Sequence, residues 1–127
     1  MAKGKINIAF IGGGKTGTPL LKQLLETDFI SLAGIADLDI NAPGIQMAKE
    51  KGVFTTNDYM ELVHMGKQID ILIDVTGVPE VGKNVIACMN EMGNKHTVVM
   101  REIIAILMMS LAKGELIETY HGYQKYA

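Results

Sequence analysis

The stretch that most narrows the possible folds is Lys5 to Gly17, KINIAFIGGGKTG. An apolar, β-rich run (Ile6, Ile8, Ala9, Phe10, Ile11) stops at three consecutive glycines, and helical periodicity begins after Gly17. A strand that ends in a tight turn and feeds straight into a helix leaves few architectures open. Gly12, Gly14 and Gly17 have the spacing G-x-G-x-x-G, and each glycine has a task in a turn that holds a pyrophosphate. The first allows the sharp bend, the second lets backbone approach the phosphates, and the third lets helix and strand pack closely. The helix that follows offers unpaired N–H groups and a positive dipole end. Gly13, Lys15 and Thr16 lie in the same turn. Lys15 and Thr16 are candidates for phosphate contact, with a solvated lysine as the competing reading. Asp37 follows Gly17 by 20 residues, at the end of a second strand-like run. There a carboxylate can accept hydrogen bonds from ribose hydroxyls.

A chain of 127 residues suits one domain, with room for a real core but not for a cofactor domain plus a full substrate domain. The net charge of -2 gives no electrostatic footprint for nucleic acid, and no run of Lys or Arg suggests a membrane surface. Cys88 is the only cysteine, which excludes a disulfide framework and a cysteine metal site. No segment reaches the roughly 20 apolar residues of a membrane span, and the N-terminus has no signal-peptide core before the glycine turn. The expected compartment is the cytoplasm.

The periodicity predicts a helix over about 16–27 with a leucine face (Leu20, Leu21, Leu24, Leu25) and Pro19 in its first turn. A second strand at 30–36 is nearly continuous in apolar residues. Asn41 to Gly44 starts a short helix reaching about Glu50, and Val53 to Thr55 is a third strand. Thr56 or Asn57 is expected to cap the next helix, which ends at Gly66. The fourth strand is expected at 69–75. Asp74, near its carboxyl end, is read as bracing the neighbouring loop. Thr76-Gly77-Val78-Pro79 is the loop that follows, with Pro79 starting a helix to about Met92. A fifth strand is expected at 96–100.

Strand and helix alternating five times predict an α/β fold, a doubly wound Rossmann-type parallel sheet with helices on both faces and a C-terminal apolar helix. The loops at 12–17, 37–41 and 76–79 would open on the carboxyl edge, where such sheets bind ligands. The domain is assigned to residues 1–113, with 114–127 as a tail.

The runs 8–17, 34–37, 69–76 with Pro79, and 93–99 resemble the N-terminal nucleotide-binding domain of the glucose-fructose oxidoreductase and inositol dehydrogenase family. They are similar, more loosely, to that domain in dihydrodipicolinate reductase and homoserine dehydrogenase. The resemblance implies that NAD or NADP is bound and that Thr76, Gly77 and Pro79 touch the ribose and nicotinamide. Aligned on Lys95-His96, Met100, Arg101 and Glu102 stand where the sugar dehydrogenases carry Glu-Lys-Pro. Arginine cannot replace that lysine as a proton shuttle, since its pKa exceeds about 12. Only 101–127 follow, so the expectation is a cofactor half without its catalytic half. Similar domains attached to bacterial signalling modules imply a regulatory or sensing role.

Asp37 with no adjacent arginine favours NAD over NADP, because a 2′-phosphate would meet a carboxylate. His64, His96 and His121 lack ligand-like spacing, so no metal site is expected. Cys88 is expected to be a buried, inert thiol. The segment 103–112 (IIAILMMSLA) is apolar on every side except Ser110, so it is either buried within one subunit or covered by a partner, and homo-oligomerisation through it is the expectation. Tyr120, Tyr123 and Tyr126 recur behind it. Three functions fit: a standalone NAD(H)-binding regulatory or cofactor-binding module, an NAD(P)-dependent oxidoreductase whose active site is completed by another subunit or domain, drawing on Arg101, Glu102 or Asp74, and a binding module for coenzyme A or another phosphate-bearing nucleotide.

Overall fold

A computed structural model describes residues 4–14 and 17–117, so the expectations for Lys15, Thr16, His121 and the three tail tyrosines lie outside the described residues. The elements in chain order are β1 (Ile6–Ile11), α1 (Thr18–Leu25), β2 (Ile30–Ala36), α2 (Pro43–Glu50), β3 (Thr55–Thr56), α3 (Met60–Val63), β4 (Ile71–Asp74), α4 (Pro79–Met92), β5 (Val98–Met100) and α5 (Glu102–Lys113). All strand pairs are parallel, in the order β3-β2-β1-β4-β5. The order reverses between β1 and β4, and a crevice opens at that point beyond the carboxyl ends of the strands.

Alternation along β1 splits the core into two. Ile8 and Phe10 face Leu20 and Leu21 of α1, Ile45 and Ala48 of α2, and Ala105, Ile106 and Met109 of α5. Ala9 and Ile11 face Leu62 and Val63 of α3 and Val85 and Met89 of α4. Each fully buried large aliphatic or aromatic side chain in these layers contributes about 1.5–3 kcal/mol. The sheet is therefore held from both sides. Gly34 is required by close packing, because a Cβ there would stand 2.6 Å from Leu62 Cδ2 and 2.9 Å from Phe54 Cδ2.

Helix α4 occupies the bounds that its sequence predicts. Pro79 is at its start, where no N–H is needed, and Gly93 closes it in the left-handed conformation with φ 68°. β2 likewise spans the expected 30–36, whereas α1, β4 and β5 are shorter at their ends than their patterns suggest and β3 is two residues, Thr55–Thr56, instead of 53–55. α3 is a single turn, and neither Asn57 nor Thr56 caps it in the expected way. Asp58 Oδ1 accepts from the N–H of Met60 at 3.0 Å, while Thr56 Oγ1 accepts from the N–H of Asp58. Cys88 is half-buried and 3.6 Å from Met92 Sδ, because α4 has solvent along that flank. The helix α5 buries Ala105, Ile106 and Met109 and leaves Ile103, Ile104, Leu107, Met108 and Leu111 between 41% and 69% exposed. Beyond it, Ile117 returns to the first core, its N–H donating to Ser110 Oγ at 3.0 Å. No helix among the described residues is long and apolar enough to cross a membrane.

Candidate nucleotide site

Three glycines of the turn after β1 have distinct surroundings. Gly12 has φ +113°, and a Cβ there would lie 2.7 Å from Val75 Cγ2, so the bend excludes any side chain. Around Gly14 a Cβ would meet nothing within 4 Å, which leaves open space above its backbone. Gly17 lies under Val75 Cγ2 and the Phe10 ring, at 3.2 and 3.4 Å from a notional Cβ, and so brings α1 close to the sheet. These surroundings parallel the bend, approach and packing tasks of a pyrophosphate turn.

Asp37 ends β2 directly across from this turn. Its Oδ2 accepts the Gly13 N–H at 2.6 Å and its Oδ1 accepts the Asp39 N–H at 2.8 Å. Gly13 is held from the other side too, since its carbonyl accepts the Gly44 N–H at 2.7 Å at the start of α2. A Cβ on Gly44 would stand 2.9 Å from the Gly13 Cα, so α2 can lean on the turn only with glycine there. Each carboxylate oxygen carries a second lone pair, which leaves Asp37 able to accept from a ligand hydroxyl as well.

The loop after β4 is braced by Asp74, which is 4% exposed. Its Oδ1 accepts from both the N–H and the hydroxyl of Thr76, at 2.9 and 2.7 Å, and Thr76 Oγ1 in turn accepts the Val78 N–H at 3.1 Å. Gly77 makes the turn with φ +68°, and Pro79 is exposed at the head of α4. Asp74 thus organises the loop, as its place near the strand end suggests.

Between these loops lies a cleft of about 210 Å³. Gly12 and Ala36 line it at the ends of their strands, Asp37, Asn57 and Thr76 supply polar groups, and Leu38, Tyr59, Val78 and Val81 supply most of the wall. Leu38 stands at the rim of this cleft, 88% exposed. Sequence reasoning placed Gly12, Asp37 and Thr76 at one edge but missed Asn57, Tyr59 and Val81. Tyr59 reads as a packing residue of α3. In the structure it is half-buried, and its hydroxyl accepts from Asn84 Nδ2 at 2.9 Å. The signal for it was weak: an aromatic with a polar tip in a segment too short to show which face it presents.

At the opposite, amino edge of the sheet Asp70 is held by a backbone amide and an imidazole. Asp70 accepts the Asn7 N–H at 2.8 Å and lies 2.7 Å from His96 Nε2. The backbone N–H, followed by the imidazole, holds its carboxyl below the ordinary value of 3.8. Among the described residues no group of three His, Cys, Asp or Glu side chains could hold a metal ion.

Sheet order, crevice and glycine turn together define a Rossmann-type α/β domain. No protein-family model matches the chain. It is 32% identical over 77 residues to an acetaldehyde dehydrogenase of Desulfitobacterium hafniense (strain DSM 10664 / DCB-2), over 60% of this chain and 26% of that protein. The chain thus spans about a quarter of the length of that relative. Among solved structures it is similar to myo-inositol 2-dehydrogenase from Lactobacillus plantarum, with TM-score 0.59 and 21% identity over 87% of this chain and 33% of that one. It is also similar to scyllo-inositol dehydrogenase from Lactobacillus casei with bound NAD(H) and scyllo-inositol, with TM-score 0.56 and 20% identity over 87% and 33%.

Proposed function

We propose that the chain binds NAD(H) at the carboxyl edge of its sheet and serves as a regulatory or cofactor-binding module. The observation that carries this is the pairing of open space over Gly14 with a carboxylate across the crevice at Asp37. In this reading Gly12, Gly13, Gly14, Lys15, Thr16 and Gly17 take the pyrophosphate, and Asp37 takes the adenosine ribose. Thr76, Gly77 and Pro79 border the nicotinamide half. The apolar cleft is smaller than the roughly 300–1,000 Å³ of a whole-ligand pocket. It suits the base and ribose, with Leu38 and Val78 flanking the ring, while the rest of the dinucleotide lies over the glycine turn. The carboxylate of Asp37 repels a 2′-phosphate, which favours NAD over NADP. The bound NAD(H) of a structural neighbour supports the ligand class.

A second reading is favoured by coverage: the chain corresponds to a quarter to a third of dehydrogenases whose remaining length lies outside it. In that case the chain is the cofactor half of an oxidoreductase whose active site is completed by another domain or subunit. We place the chain in the cytoplasm and infer that it self-associates through 103–112, whose outer face is bare. Calorimetry with NADH, NADPH, CoA and ATP tests the ligand. The proposal expects NADH to bind most tightly, and CoA binding with no response to NADH contradicts it. Hydride transfer to a panel of small sugars and oxo-acids decides between module and enzyme.

A further inference from the structure

We propose that the amino edge of the sheet is a second ligand site, a groove that binds a chain of phosphates on the far side of the molecule from the glycine turn. It stands independently of the dinucleotide reading. Because the strands are parallel, the segments that enter β1, β4 and β5 arrive together at this edge. Each brings a lysine: Lys5 ahead of β1, Lys67 in the tight turn Gly66–Gln68 ahead of β4, and Lys95 ahead of β5. Between them lie two adjoining hollows that share Lys67 and His96. One, of about 500 Å³, reaches Lys5 along a wall that includes Asn7 and Gln68, and the other, of about 600 Å³, reaches Lys95. Each has the volume of a small-molecule site.

Three lysines and one carboxylate line this groove, on a chain whose net charge is -2. That carboxylate, Asp70, is already engaged, its Oδ2 by the Asn7 N–H and its Oδ1 by His96. The field in the groove is therefore positive. Its backbone is also fixed before any ligand arrives. Thr97 Oγ1 donates to the Ile69 carbonyl at 2.7 Å, and Asn94 Oδ1 accepts the N–H groups of His96 and Thr97, so the Lys67 and Lys95 segments are tied to each other. Segments set in advance lose less freedom on binding. Lys95 is not needed to close α4, because the Gly93 and Asn94 amides already take the carbonyls of Asn90 and Met89. Among the described residues lining the groove there is no arginine fork for a carboxylate and no Phe, Tyr or Trp to stack on a base. Ammonium groups act as point charges, and several along one elongated groove match the successive charges of an oligophosphate. A dinucleotide offers only two phosphates, enclosed between its nucleosides.

The test is calorimetry of tripolyphosphate, ATP and tetraglutamate on the whole chain, with and without NADH. The wild type should bind tripolyphosphate at or below about millimolar concentration. Each of Lys5→Gln, Lys67→Gln and Lys95→Gln should weaken it about 2- to 5-fold, and the triple variant about 10- to 100-fold, the range for exposed charge pairs. Lys83→Gln, which removes the same charge from α4 instead, should leave it unchanged. ATP presents the same chain: affinity equal to that of tripolyphosphate identifies a nucleoside triphosphate as the source, and weaker binding identifies free polyphosphate. Tetraglutamate that binds as tightly as tripolyphosphate assigns the groove to an acidic polypeptide and overturns the proposal. So does a wild type that takes no tripolyphosphate at about millimolar concentration, or a triple variant that binds it as the wild type does. Displacement of tripolyphosphate by NADH also overturns it, by placing the phosphates at the glycine turn. A wild type that takes tripolyphosphate through the three lysines but no NADH overturns the dinucleotide reading instead and leaves the groove standing.

Discussion

Single residues of the glycine turn separate folding from binding, because neighbouring positions face different surroundings. Gly12→Ala forces a Cβ into a left-handed backbone and against Val75 at 2.7 Å, so it should cost about 1–3 kcal/mol in urea denaturation. Gly14→Ala adds a methyl where nothing lies within 4 Å. Its stability should stay within about 0.5 kcal/mol of wild type, while its NADH affinity falls because the methyl stands where phosphate would approach. A Gly14→Ala protein with unchanged NADH affinity would place the phosphates elsewhere. Asp37 plays both parts: Asp37→Ala frees the Gly13 and Asp39 amides and removes the ribose acceptor. Its NADH affinity should drop about 10- to 100-fold while a CoA-like ligand is spared, as calorimetry would show. The glycine and aspartate positions were legible in the sequence because their spacing is local. Tyr59 and Asn57 were not, since only the folded chain brings them across from β2.

At the scale of elements, α4 and α5 show what a pattern can and cannot reveal. Pro79 and Gly93 act on the backbone itself, so the limits of α4 followed from residue types alone. The apolar run of α5 contains no mark of which side the sheet will cover. Periodicity could only call for burial or a partner, and the fold covers Ala105, Ile106 and Met109 while leaving the rest bare. The proposed self-association through that face predicts that Leu107→Glu sediments as a monomer where the wild type does not, without loss of the thermal transition. A wild type that sediments as a monomer at high concentration contradicts the interface. The amino edge makes a separate prediction. The folded pKa of Asp70 lies below 3.8, so its contribution to stability is complete above the unfolded value and disappears as pH falls through the lower folded one. Melting temperature measured from neutral pH down should lose this contribution only below about pH 4, and Asp70→Asn should flatten that acid limb. An unaltered limb would mean that the Asn7 and His96 contacts add nothing.

For the whole molecule, strand–helix alternation was enough to predict a parallel sheet, because right-handed crossovers restrict how such units stack. The order β3-β2-β1-β4-β5 brings three loops, distant in sequence, to one crevice. NADH binding in this crevice requires that the first of these loops hold a pyrophosphate. Titration of the ¹⁵N-labelled chain with NADH, followed by backbone amide shifts, reads this directly. The amides of Gly13, Gly14 and Gly17 should move together and saturate with the Asp37 and Asp39 amides, while Asp70 at the far edge stays still. NADH that binds without moving the glycine amides, or that leaves every amide unmoved at about millimolar concentration, a binding free energy weaker than about -4 kcal/mol, would contradict it.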